Sequence, residues 1–172
     1  RPVERYVPIN LPHPAVARRG MWRGGQMLKS WYITFFQLPA LPEAGILAGE
    51  ARKIAEAFRG DAGHPENFSD AVVDAYRRNA LRPGGMRAMI NYYRANYVEL
   101  AAGRTLVGEE RSDTPTLMIW GAEDRYISAH LTEGTDAYMS DFKLLKLPGI
   151  SHWAQQDAPE AVNAALADWL PR

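Results

Sequence analysis

The stretch that decides the fold is Thr116-Leu117-Met118-Ile119-Trp120-Gly121-Ala122-Glu123-Asp124. An uncharged, largely apolar run closed by glycine is the pattern of a strand buried on both faces of a parallel sheet. A second candidate, Phe142-Lys143-Leu144-Leu145-Lys146-Leu147, ends at Pro148-Gly149. Between them Ser128 to Met139 reads as a crossover helix. Pro159 to Leu170 reads as a final helix with Val162, Ala165, Leu166 and Trp169 turned inward. Strand, helix, strand, helix makes a βαβα unit, so the C-terminal third belongs to an α/β sheet.

Upstream the pattern changes. From about Ala15 to Gly103 the text is helical, with breaks at Gly24-Gly25, Pro39 to Pro42, Gly60 to Pro65 and Pro83-Gly84-Gly85, which makes four or five helices. Leu28, Trp31, Tyr32, Phe35 and Phe36 follow the spacing of one apolar helical face. Pro42-Glu43-Ala44 looks like a helix start, continued by Ile46, Leu47, Ala51, Ile54, Ala55 and Phe58. Ser69-Asp70 caps a further helix. Pro83 opens the last of the set, with Met86, Met89, Ile90, Tyr93 and Tyr97 on one face. Before all of these, Arg5 to Ile9 is a strand-like segment whose next good partner lies more than 100 residues on.

Composition narrows the function classes. The 172 residues carry 20 Lys+Arg against 20 Asp+Glu, so the net charge is zero. A dedicated nucleic-acid binder needs a cationic surplus to displace counterions from phosphates. Without cysteine there is no disulfide frame, thiolate zinc site or cysteine nucleophile. No apolar run approaches the roughly 18 residues of a membrane span. If the chain is a complete folding unit, its mass of 19.3 kDa implies a folded surface of roughly 8,500 Å².

In parallel sheets, reactive groups gather beyond the carboxyl ends of strands. Two such loops are present, Gly121-Ala122-Glu123-Asp124-Arg125 and Gly149-Ile150-Ser151-His152-Trp153. They place Asp124 and His152 on one rim, where a carboxylate can fix the tautomer of a general base. Taken singly, a loop Asp or His is unremarkable. The other histidines offer less. His13 sits between prolines, while His64 and His130 have no clustered ligand partners, so no metal or other cofactor is expected. Gly60-Asp61-Ala62-Gly63 follows no strand and reads as a loop joining helices, and no serine occupies a Gly-x-Ser-x-Gly elbow.

The sequence resembles the α/β-hydrolases and, within them, the epoxide hydrolases. The likeness rests on Asn10-Leu11-Pro12-His13-Pro14, on Ser30-Trp31-Tyr32-Ile33-Thr34-Phe35-Phe36-Gln37-Leu38-Pro39, on Ile119 to Asp124 and on Gly149 to Trp153. It implies a partial α/β-hydrolase fold. Residues 1–14 would be a strand remnant and linker, 15–103 a helical cap, and 104–172 the C-terminal part of the core. By the same likeness Asp124 is the acid and His152 the base of a catalytic triad, and Tyr32 and Tyr93 are the two cap tyrosines that open the epoxide ring. A phenol is also chemically suited to that task, being a neutral donor at pH 7. Tyrosines on amphipathic helices are nonetheless ordinary core residues, and Tyr92 competes with Tyr93 for the assignment. Trp31, Ile33, Phe35, Phe36, Ile127 and Trp153 would line a pocket for a small hydrophobic epoxide, with water as co-substrate.

The resemblance also implies an aspartate nucleophile and a backbone oxyanion hole earlier than the first strand candidate, and neither is found. The expectation is therefore a cytoplasmic hydrolase fragment, inactive alone, with an exposed sheet edge able to pair with another chain or support a homo-oligomer. A haloalkane or haloacid dehalogenase, a serine esterase and a non-catalytic interaction module with a hydrolase-type cap remain as alternatives.

Overall fold

The structure is a computed structural model and describes residues 3–102 and 111–171. The boundary expected at residues 103 and 104 lies outside them. The core element is β1 (Thr116–Gly121), which is buried along its whole length. It pairs in parallel with β2 (Phe142–Leu147), with Thr116 opposite Phe142 and Gly121 opposite Leu147. On the other side of β1 runs the N-terminal segment, bridged at Tyr6 to Thr116 and at Ile9 to Ile119, both parallel. The amides of Tyr6 and Asn10 donate to the carbonyls of Pro115 and Ile119, and those of Leu117 and Ile119 donate to Tyr6 and Pro8. The strand-like opening thus finds its partner across more than 100 residues of sequence, which explains why local text showed none.

Helix α7 (Ala154–Asp157) lies against β1, and α8 (Pro159–Trp169) packs Val162 and Trp169 onto Leu117 and Ile119. Leu117 and Ile119 alternate to one face as the pleat demands, and each such side chain contributes roughly 1.5–3 kcal/mol by leaving water. The Trp169 ring is flanked by the Arg5 guanidinium at 4.8 Å and the Lys143 ammonium at 5.0 Å. β2 is only half-covered, and Leu144 is exposed.

The crossover from β1 to β2 departs from expectation. Instead of a helix over 128–139 there are two short 3-10 turns, Ala129–Thr132 and Thr135–Tyr138, separated by Gly134 at φ +80°. A glycine in the left-handed region ends one turn and starts another, so the apolar spacing across it cannot become a continuous α-helix.

Six α-helices precede β1 among the described residues: α1 (Pro14–Gly20), α2 (Gln26–Lys29), α3 (Trp31–Phe35), α4 (Leu41–Asp61), α5 (Asp70–Leu81) and α6 (Gly85–Ala101). Their starts follow sequence signals. The His13 Nδ1 accepts the Ala15 amide at 3.3 Å, and Ser69 accepts the Val72 amide at 3.4 Å. The break in α4 was not legible: Ala48 to Ala51 leave helical geometry, with Gly49, Glu50 and Ala51 at positive φ. Ala80, Met86 and Ile90 form a second core, against which Phe36, Ile46, Leu47 and Ile54 pack. Met89, expected on the same face, is 40% exposed because it lies off the row set by Met86, Ile90, Tyr93 and Tyr97. Among the described residues no helix is long and apolar enough to cross a membrane.

The surface amounts to 10,542 Å², well above the roughly 8,500 Å² that mass alone implies. Large apolar side chains account for part of the excess. Trp22, Leu28 and Trp31 are exposed although their spacing placed Leu28 and Trp31 on a buried face.

Candidate active site

The two loops after β1 and β2 come together where Gly121 meets Ser151. A Cβ on Gly121 would overlap the Ser151 carbonyl oxygen, so the absent side chain is what lets the loops touch. The amides of Ala122 and Glu123 donate to Leu147 and Ile150, tying the loops further. Across this seam the Asp124 Oδ2 lies 2.7 Å from the His152 Nδ1.

Asp124 is 4% exposed and its carboxylate is fully engaged. Oδ1 accepts the amides of Tyr126 at 2.7 Å and Ile127 at 2.8 Å, while Oδ2 also accepts the Asn10 side-chain amide at 2.7 Å. Burial works against its ionisation. The hydrogen bond and charge of His152, the Ile127 amide and Asn10 outweigh that cost and hold the carboxyl below the usual range. An ionised, acceptor-only carboxylate requires the proton of this contact to sit on Nδ1, leaving Nε2 as the basic nitrogen.

Asn10 was part of a quoted motif, yet its role was not foreseen. Its side-chain oxygen accepts the Gly121 amide at 2.9 Å while its nitrogen holds Asp124, all at 2% exposure. Its φ of +47° is a left-handed conformation that asparagine tolerates better than most residues. That residue choice before Leu-Pro was the available signal.

The aromatic side of the site is continuous. Tyr32 meets Tyr93 at 5.8 Å and Tyr126 at 6.0 Å between ring centroids, and Tyr126 meets His152 at 5.3 Å and Trp153 at 5.4 Å. Phe36 packs on both Tyr32 and Tyr93. Tyr92 meets the Tyr93 ring edge-on at 5.5 Å but is itself 72% exposed. Burial raises the Tyr32 phenol well above its ordinary pKa, with Tyr93 and the Asp124 charge adding to it. Burial also raises Tyr93. Both stay protonated at neutral pH and remain donors.

Arg94 holds the helices of these phenols in register. Its Nε and Nη2 donate to the carbonyls of Phe36 at 2.8 Å and Leu38 at 2.7 Å, capping the end of α3, and Nη1 pairs with Glu43 at 2.6 Å.

Of the residues expected to line a pocket, Ile33, Phe35, Phe36, Ile127 and Trp153 are half-buried. The Trp153 ring packs tilted against Phe58 of α4, with centroids 4.4 Å apart. Trp31 is 64% exposed and its ring meets Phe35, outside the Tyr32–Tyr126–His152 chain of rings. Tyr126 was not anticipated and has a second anchor in Asp61, at the end of α4. The Asp61 carboxylate pairs with Arg125 at 2.7 Å and, after burial, is what raises the Tyr126 phenol. The segment read as a plain loop therefore touches the loop that carries Asp124. Lys29 and Gln26 of α2 do likewise. Lys29 donates to the Asp124 carbonyl at 3.2 Å, and Gln26 donates to the Tyr126 carbonyl and accepts the Ser128 amide. Beside them opens a polar cleft of about 690 Å³, lined by Lys29, Asp61, Glu123, Asp124 and Arg125 among others.

Comparison with known proteins bears on this arrangement. No family model matches the sequence. The AB hydrolase superfamily protein YfhM of Bacillus subtilis is 32% identical over 98% of the chain, and epoxide hydrolase 2 of Caenorhabditis elegans is 31% identical over the same share. A crystal structure of an epoxide hydrolase from Bacillus megaterium superposes with a TM-score of 0.81 at 21% identity, over 96% of this chain and 60% of that one. Over nearly its whole length the chain is similar to α/β-hydrolases, and it shares their fold. It covers 57% of the Bacillus subtilis relative and 48% of the worm enzyme, so it spans about half the length of the curated relatives it matches. The fold class implied by the resemblance is the one found, a helical cap followed by a small parallel sheet of α/β-hydrolase type.

Proposed function

We propose that this chain carries the cap and the acid–base pair of an epoxide hydrolase, acting on a small hydrophobic epoxide and water. The supporting observation is the single run of rings from two protonated phenols, Tyr32 and Tyr93, through Tyr126 to a His152 held by Asp124. Ring opening turns the epoxide oxygen into a developing alkoxide, and neutral phenols aimed at it supply protons without a charge of their own. Tyr32 and Tyr93 take that role. A carboxylate nucleophile attacks the epoxide carbon and forms an ester. His152 Nε2 then removes a proton from water, which hydrolyses the ester to a vicinal diol, and Asp124 stabilises the imidazolium. Among the described residues no second carboxylate bonds the His152 ring. The proposal assigns the nucleophile to a part of the parent enzyme outside these 172 residues, so this chain alone does not turn over epoxide.

The test uses the complete parent enzyme. His152→Ala should accumulate the ester while diol formation falls by a factor on the order of 10³ or more, as loss of a general base in covalent catalysis does. Unchanged steady-state turnover would refute the role. Tyr32→Phe with Tyr93→Phe should suppress ester formation with the fold retained, and a double variant of normal activity would remove the phenols from the mechanism. Product analysis separates the reading from a dehalogenase, which would release halide instead of diol.

A further inference from the structure

We propose that Asp157 is a positioning residue that locks the His152 loop to the cap. The inference rests on reading Asp124 and His152 as the acid and base of the site. Asp157 is fully buried at the end of α7, and three backbone amides converge on it. Oδ2 accepts Ser151 at 2.7 Å and Gly63 at 3.0 Å, while Oδ1 accepts His64 at 2.7 Å. Ser151 immediately precedes His152, whereas Gly63 and His64 follow α4 in the cap. One carboxylate therefore bonds the base loop and the cap together. Its carbonyl accepts the Asn67 side chain at 2.8 Å, and Gln156 returns a bond to the Asn67 carbonyl at 3.0 Å.

Shape reinforces the seam. A Cβ on Gly63 would overlap the Gly149 carbonyl oxygen, so the cap loop and the base loop are in backbone contact. Residues 149–152 are thus gripped by Gly63 on the cap side and Gly121 on the β1 side. Three donors need an acceptor with two oxygens and a full charge, and only a carboxylate among side chains of this size supplies both. Burial opposes that charge, yet the amides of Ser151, Gly63 and His64 hold the carboxyl below its usual range. Asparagine keeps the volume but turns an N–H₂ toward an N–H. If the lock sets His152, weakening it loosens the 2.7 Å contact between His152 Nδ1 and Asp124.

The experiment is NMR on the full 172-residue chain, comparing wild type, Asp157→Asn and the control Gln156→Ala. In D157N the amides of Gly63, His64 and Ser151 should exchange about tenfold faster or more, the effect of losing roughly one charged hydrogen bond. The His152 Nδ1–H resonance should broaden or shift upfield, while Ile119 keeps its protection. Gln156→Ala should leave that resonance in place. Faster amides with an unchanged Nδ1–H signal would reduce Asp157 to a structural tie and overturn the proposal, as would unaltered amides. Should D157N not fold, native-state exchange of wild type decides: the three amides and the His152 proton must share one opening constant, and independent openings overturn the lock. A wild type lacking the Nδ1–H signal, unchanged by Asp124→Asn, would instead sink the acid–base reading beneath it.

Discussion

Replacing Asn10 with alanine tests the site's least visible support. The amide nitrogen of Asn10 is 2.7 Å from the Asp124 carboxylate and its oxygen is 2.9 Å from the Gly121 amide, in a place where the residue is 2% exposed. Losing a hydrogen bond to a carboxylate costs about 1.5–3 kcal/mol, and leaving the Gly121 N–H unpaired costs about 1–3 kcal/mol. Alanine at φ +47° adds about 1 kcal/mol, since a Cβ crowds the following carbonyl with no polar side chain to compensate. Water entering the space recovers part of this, so the expected loss is about 3–5 kcal/mol. Against a total stability of about 5–15 kcal/mol that is a large fraction. Urea unfolding followed by tryptophan fluorescence should show a lower midpoint at an unchanged slope. Asn10→Gly, which relieves the backbone but loses the same bonds, should fall between. Asn10→Asp sets two carboxylates against each other, so one folded-state pKa rises. Stability from the shared proton is then present below about pH 4 and lost as pH rises through the raised value, so the gap to wild type should widen toward pH 7. A loss under about 1 kcal/mol in Asn10→Ala would refute the claim that this side chain holds Asp124.

Asp124 and Asp157 both have depressed carboxyl pKa values. Their contribution is present above the unfolded value near 3.9 and is lost as pH falls through the lower folded ones. Urea midpoints should therefore drop below about pH 4, and Asp124→Asn or Asp157→Asn should flatten that acid limb; an unaltered limb in both variants would contradict the assignment. Gly63→Ala should destabilise by about 2–4 kcal/mol because its Cβ meets backbone that cannot yield, whereas Gly45→Ala, with open space around it in α4, should stabilise by about 0.5–1 kcal/mol. Equal effects in thermal melts would show that the seam is not tightly packed. Arg94→Met should lower the melting temperature more than Arg94→Lys, which keeps a charge for Glu43 but not the two-carbonyl fork, and should disturb the aromatic proton shifts of Tyr32 and Tyr93. Unshifted ring signals would separate Arg94 from the phenol pair.

Much of the site was readable in one dimension because its determinants are local. An apolar strand closed by glycine puts Asp124 on the rim, and a second strand ending at Pro-Gly puts His152 beside it. The start of α5 at Ser69 follows from capping chemistry that acts over three residues, and Pro42 sits in the first turn of α4, where its fixed φ suits a helix start. Periodicity failed where a single backbone angle overrode it, as at Gly134 in the crossover and at Ala48 to Ala51 in α4. It also mistook apolar spacing for burial at Leu28 and Trp31, since a face is buried only if something covers it.

The residue types and their order thus determined the two strands and the placing of Asp124 and His152 on neighbouring loops. Tertiary structure alone decided which groups hold this region: Asn10 on Asp124, Arg94 between the tyrosine helices, Asp61 on the Asp124 loop and Asp157 on the His152 loop. Each of these bonds joins segments dozens to more than 100 positions apart or depends on how such segments meet. A hydrogen bond acts over about 3 Å of space, whatever the distance along the chain.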